Sequence, residues 1–183
     1  MHEMIPTREE CIQLLKEYEL PEPKIGHCML VENISVTISK LLNEKGEAID
    51  IDIISRASLL HDIAKNEKMR GKDHALLGFQ ICTEKNIDPR ICEIIRNHAL
   101  ESILQDGLKT MEEKIVFYAD KICKYEIIGI DARFAPWENR DPNKELFIAK
   151  EKTLQLEKEI LNKLNMTPEE ILTKLRIIIN QIN

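Results

Sequence analysis

Three threonines, Thr7, Thr110 and Thr167, each stand three residues before a glutamate (Glu10, Glu113, Glu170), and an apolar periodic segment follows each one. Such a Thr-x-x-Glu box satisfies two otherwise orphaned backbone N–H groups at once, so it opens an α-helix. Asp50 or Asp52, Asp73, Asp88-Pro89 and Asp141-Pro142 read as further helix starts. Behind these starts the apolar residues recur at three- and four-residue steps, the spacing of one helix face. Leu30, Val31, Ile34, Ile38, Leu41 and Leu42 mark such a face from about Lys24 to Lys45. Ile53, Ile54, Ala57 and Leu60 mark the next, Ile91, Ile94 and Ile95 another within Arg90 to about Leu100, and Ile115, Val116 and Ala119 a fourth. Asp131 to Trp137 reads as a helix end and turn. The chain closes with Ile171, Leu172, Leu175, Ile178, Ile179 and Ile182 in near-heptad spacing.

No segment shows the two-residue alternation of a half-buried strand, and no internal repeat is visible. Aromatic residues make up 4% of 183 residues, with seven Pro and six Gly, which excludes a β-sandwich, fibrous or low-complexity chain. The expected fold is therefore all-α, with about six core helices over residues 1–136 and a two-helix extension over 137–183 that packs on the domain or across a homodimer. A net charge of −6 argues against a general nucleic-acid-binding surface. Five cysteines without C-x-x-C spacing read as reduced, buried thiols, with Cys28 in the core. The N-terminus lacks the pattern of a signal peptide and no apolar run is long enough to cross a membrane, so a cytoplasmic location is expected.

Against this apolar periodicity, the polar residues that fall on or at the ends of apolar faces stand out. They are His27, His61, Asp62, His74, His98 and Asp120, supplied by five different helices. Four of the five histidines belong to the set, and only His2 is outside it. An unpaired carboxylate such as Asp120 within an apolar segment costs several kcal/mol, so it needs a partner. A shared cation accounts for all six at once. Imidazole and carboxylate donors together suit Fe or Mn first, and Ni, Co or Zn, over the all-oxygen preferences of Mg and Ca. Residues 63–72 carry Lys65, Lys68, Arg70 and Lys72 against Glu67, a locally basic loop in an acidic chain. Lys65, one turn after His61, is placed to stabilise charge on a phosphoryl group. Arg96, Lys121, Lys124 and Arg133 are candidates for the substrate mouth.

The order His27, His61-Asp62, His74, His98, Asp120, centred on Leu-Leu-His-Asp-Ile-Ala-Lys, resembles the HD-domain metal-dependent phosphohydrolases over about Lys24 to Phe134. The likeness implies an HD helical bundle. It also implies that His27, His61, Asp62 and Asp120 are the ligands shared by catalytic members, while His74 and His98 hold a second metal with Asp62 bridging. Stand-alone enzymes that hydrolyse diadenosine tetraphosphate are similar in ligand order. Cyclic-dinucleotide members share the HD-x-x-K segment ending in Lys65, but the paired histidines and Gly-Tyr-Pro they carry do not follow His98 here. The function this implies is hydrolysis of a nucleotide or related small phosphoester by a metal-activated hydroxide. The alternatives are a non-catalytic metal-containing sensing or interaction module and oxygen activation at a di-iron site.

Overall fold

The computed structural model describes residues 4–105 and 107–181; His2 and Ile182 lie outside them. Their regular structure is ten α-helices and one short 3-10 helix at Glu67–Met69, with isolated bridges in place of any sheet. The helices are α1 (Arg8–Glu17), α2 (Glu22–Glu44), α3 (Ile51–Leu60), α4 (His74–Glu84), α5 (Pro89–Asn97), α6 (Leu100–Leu104), α7 (Met111–Lys121), α8 (Ile130–Arg140), α9 (Lys144–Leu164) and α10 (Pro168–Asn180). All three Thr-x-x-Glu boxes form with both reciprocal hydrogen bonds, at α1, α7 and α10. Asp50, rather than Asp52, caps α3, and Asp73 and Asp88 cap α4 and α5.

The 23-residue α2 is the axis of the molecule, packing against α3, α7, α9 and α10. Its buried residues, from Ile25 through Val31, Ile34 and Ile38 to Leu42, exceed one stripe, as a helix covered on several sides requires. Two anchors join the C-terminal helices to this core. The Tyr118 hydroxyl donates to Glu157 Oε1 at 2.8 Å, linking α7 to α9, and Arg176 Nη2 donates to the Ile127 carbonyl at 2.9 Å. Ile171, Leu175 and Ile179 of α10 are buried, so much of the near-heptad stripe packs within its own chain; Ile177 is exposed.

Four sequence-based expectations differ from the structure. Asp131 to Trp137 is not a turn but the body of α8, which runs through Pro136. Proline removes one backbone donor there, yet buried Phe134 stacks edge-to-face on Trp137 and α8 packs on α9, which holds the helix together. The division at 136/137 consequently falls inside a helix. The long charged helix starts at Lys144 with Asn143 as its cap, not at Asp141-Pro142. Finally, the Arg90 segment stops at Asn97 with His98 as its C-cap, and Leu100–Leu104 is a separate short helix.

Close approach of α4 to its neighbours depends on Gly78. A Cβ there would lie 2.9 Å from Ile95 Cγ2 and 3.5 Å from Ile63 Cγ2. Gly78→Val is therefore expected to destabilise the fold by about 1–3 kcal/mol through overpacking. Urea denaturation checks this, and a loss below about 0.5 kcal/mol would show that α4 can shift freely.

Candidate metal centre and basic cleft

Helix ends bring the six polar residues together. His61 is the C-cap of α3, Asp62 follows in the next turn, His74 is the first residue of α4, His98 the C-cap of α5, and Asp120 the penultimate residue of α7. His27 comes from the first turns of α2. Adjacent residues in a helix diverge by about 100°; the turn after Leu60 lets His61 and Asp62 address one point.

Two overlapping ligand trios result, His27/His61/Asp120 and His61/Asp62/His98, each with donor atoms within 4.8 Å of one another. His27 Nε2 lies 3.0 Å from Asp120 Oδ1, and His61 Nε2 lies 3.9 Å from that oxygen and 3.6 Å from Asp62 Oδ1. Asp62 Oδ1 is also 3.3 Å from His98 Nε2 and 3.8 Å from His74 Nε2, and the two histidine Nε2 atoms are 3.1 Å apart. Three of the rings are oriented by backbone carbonyls. Nδ1 of His27 donates to Lys124 at 2.6 Å, that of His61 to Ser58 at 2.7 Å and that of His98 to Ile95 at 2.5 Å. In a neutral imidazole this leaves Nε2 with its lone pair aimed inward, the arrangement of metal-binding histidines.

The buried His61 Nε2 makes no hydrogen bond among the described residues, and the buried Asp62 Oδ1 is met by Lys65 Nζ at 2.9 Å, with three histidine nitrogens within 4 Å of it. Buried acceptors rarely go unpaired. An unpartnered buried imidazole nitrogen facing a buried carboxylate oxygen among further nitrogen and oxygen ligands fits a divalent transition metal, which the two trios would hold.

Electrostatics favour the same assignment. Burial, together with neighbouring histidines, pulls His61 down to about 4 and His74 down to about 3, so both are neutral at pH 7. Burial alone would raise Asp62 and Asp120, but His61 and Lys65 around the first, and Lys121 and His27 around the second, hold both well below the usual carboxylate range. His27 goes the other way: Asp120 outweighs its burial and raises it.

A stability prediction follows for the metal-free protein. As pH falls from about 6.5 toward 4, the unfolded chain takes up protons that His61 and His74 refuse in the fold, so stability falls with pH. His27, raised, partly offsets this; Asp62 and Asp120 add to the loss only below about pH 4, where unfolded carboxylates protonate. Urea denaturation at pH 7 and pH 4.5 should differ by on the order of 2–3 kcal/mol. Equal stability at both would contradict the burial of neutral imidazoles.

His27, Asp62 and His74 also line a cleft of about 500 Å³. Six cationic side chains surround it, Lys24, Lys65, Arg70, Lys72, Lys124 and Arg133, against the carboxylates of Asp62 and Glu67. The structure thus places Lys65, Lys124 and Arg133 at the cleft. Lys121 is not at the mouth: it is 3% exposed, paired with Asp120 and bonded to the His98 carbonyl at 3.2 Å. Arg96 is exposed, 5.2 Å over the Phe79 ring, and lines a separate cavity of about 740 Å³ that meets the cleft at Lys72 and His74. Sequence reasoning missed Lys24 and Tyr125 as cleft residues. Lys24 stands one helical turn before His27 and donates to the Lys65 carbonyl, a spacing that could have flagged it. Tyr125, 64% exposed beside Lys124, carried no such signal.

A family model described as HD domain matches residues 25–124, which include all six residues. Among curated proteins, the chain is 30% identical over 131 residues to a tRNA (cytidine(56)-2'-O)-methyltransferase of Thermoplasma volcanium, covering 65% of this chain and 37% of that protein. It is 29% identical over 150 residues to the protein of the same name in Picrophilus torridus, covering 75% and 42%. An uncharacterized protein of Methanocaldococcus jannaschii is 27% identical over 126 residues, covering 62% and 73%. The chain thus spans about two fifths of the length of the two methyltransferases. No solved structure matches. No helix among the described residues is long and apolar enough to cross a membrane.

Proposed function

The chain belongs to the HD domain family, and from its site we propose that it is a metal-dependent phosphohydrolase acting on a nucleotide or related phosphorylated molecule. One observation carries this reading: two overlapping buried histidine–carboxylate trios, with His61 Nε2 lacking any hydrogen bond, sit beside a cleft with six cationic side chains in a chain of net charge −6. In this reading His27, His61, Asp62, His74, His98 and Asp120 hold one or two divalent ions, with iron or manganese favoured. Such an ion supplies Lewis acidity and a nucleophile at neutral pH.

The chain's own residues do the rest. Lys65, with an ammonium pulled down by burial but raised overall by Asp62 and Asp120, stays protonated beside the reacting phosphoryl group and stabilises developing charge. Arg133, whose Nη2 is 4.0 Å from Asp120 Oδ1 and which lines the same cleft as Asp62, binds a phosphoryl oxygen. Lys24, Arg70, Lys72 and Lys124 attract and hold the anionic portion. The exposed Tyr125 ring at the rim offers a stacking surface to a nucleobase.

The methyltransferase relatives bear names tied to tRNA, and a free nucleotide and an RNA end share the same phosphoester chemistry. The test loads the protein with Mn or Fe and offers bis-p-nitrophenyl phosphate, nucleoside mono- and polyphosphates, and a short oligoribonucleotide with phosphorylated ends. Metal-dependent release of phosphate or nitrophenol is expected, and the productive arm identifies the source. Metal-loaded protein inert toward the whole panel would contradict the proposal. Arg70→Ala with Lys72→Ala is further expected to raise KM about tenfold with kcat nearly kept and to flatten its salt dependence, because these exposed cations attract substrate without touching the reacting atoms. A KM unchanged across salt would remove the loop from substrate capture.

A further inference from the structure

We propose that Lys121 is a positioning residue that presents Asp120 to the metal centre and joins its two halves; the inference rests on the metal-centre reading above. A lysine 3% exposed in the core is tolerated only when its charge and its donors are met. The ammonium of Lys121 has two acceptors and an aromatic face. Nζ bonds Asp120 Oδ2, donates to the His98 carbonyl at 3.2 Å, and lies 4.6 Å from the centroid of the Phe117 ring.

The consequence for Asp120 is a division of labour between its oxygens. Oδ2 is held by Lys121, which leaves Oδ1 as the atom facing His27 Nε2 at 3.0 Å and His61 Nε2 at 3.9 Å. Without the ammonium the carboxylate can rotate and both oxygens compete for the same position. The second bond reaches the other ligand trio. His98 caps the end of α5, and its carbonyl is tied to the same Nζ while its ring faces Asp62 at 3.3 Å. One buried cation therefore fixes a ligand of each trio, and outer contacts of this kind typically change metal affinity by 10–100-fold.

The experiment titrates Co²⁺ into metal-free wild type and Lys121→Met, following the visible spectrum of the bound ion and the dissociation constant by calorimetry. Methionine keeps the length of the stem and removes the donors. Folded variant is expected to bind Co²⁺ about 10–100-fold more weakly, with an altered spectrum. Lys121→Gln serves where Lys121→Met does not fold: its amide is milder in a buried site, but its shorter stem cannot hold Asp120 and the His98 carbonyl together, so at least a tenfold loss is expected again. A purely structural lysine would lower the thermal midpoint of the metal-free protein and leave both affinity and spectrum as in wild type, which would overturn the proposal. Wild type that binds no Co²⁺ would overturn the metal-centre reading itself, and this inference with it.

Discussion

Asp62→Ala is expected to reduce hydrolysis by about a thousandfold or more in kcat/KM, roughly 4 kcal/mol of transition-state stabilisation. Asp62 Oδ1 lies within 4 Å of three histidine nitrogens, those of His61, His74 and His98, and it also pairs with Lys65. Its removal takes away the negative charge that draws a cation into the second trio and releases Lys65 from its place beside the reaction. Combining it with His61→Ala, which contributes to both trios, should leave no measurable activity. Circular dichroism of the variant must match wild type, since Asp62 is buried. Full activity in a folded double variant would show that the chemistry resides elsewhere.

The largest loss of stability is expected far from the cleft, at Arg8. Glu32 is 4% exposed in the middle of α2, and the Arg8 guanidinium contacts both of its oxygens at 2.9–3.0 Å. Ser55 Oγ donates to Glu32 Oε1 at 2.6 Å, and Arg56 bonds both Ser55 Oγ and the Pro6 carbonyl. This network fastens α1 to α2 and α3. Arg8→Met strips a buried carboxylate of the cation that bonds it directly, at a cost of about 3 kcal/mol by urea denaturation. Removing the charge as well, in Arg8→Met with Glu32→Leu, should recover most of that loss, because no buried carboxylate is then left without its cation, while the Arg8 side chain itself is 37% exposed. A loss below about 1 kcal/mol for Arg8→Met alone would mean that water reaches Glu32.

Much of this architecture was legible because local rules and packing agree. Capping boxes at Thr7, Thr110 and Thr167 need only three neighbouring residues to work, so their helices begin where the spacing places them. The polar residues of the centre were legible because each interrupts an apolar helix face, and their positions at helix ends bring them within reach of one another. The rest depends on contacts between distant segments. Proline at 136 reads locally as a stop, and only the Phe134 and Trp137 packing against the neighbouring helices shows why α8 continues. Lys121 reads as a candidate for the substrate mouth beside Asp120, since a lysine is rarely buried; its partners, the His98 carbonyl and the Phe117 ring, cannot be paired with it by spacing alone. Tyr125 and Arg70 reach the cleft from loops whose course no periodicity describes.

Metal content decides the central claim. The protein, prepared both aerobically and anaerobically and dialysed against Mn or Fe, should retain one to two ions per chain by elemental analysis, and the His61→Ala, Asp62→Ala double variant should retain almost none. Wild-type protein that holds no stoichiometric ion under either preparation would contradict the account, whatever the arrangement of its histidines.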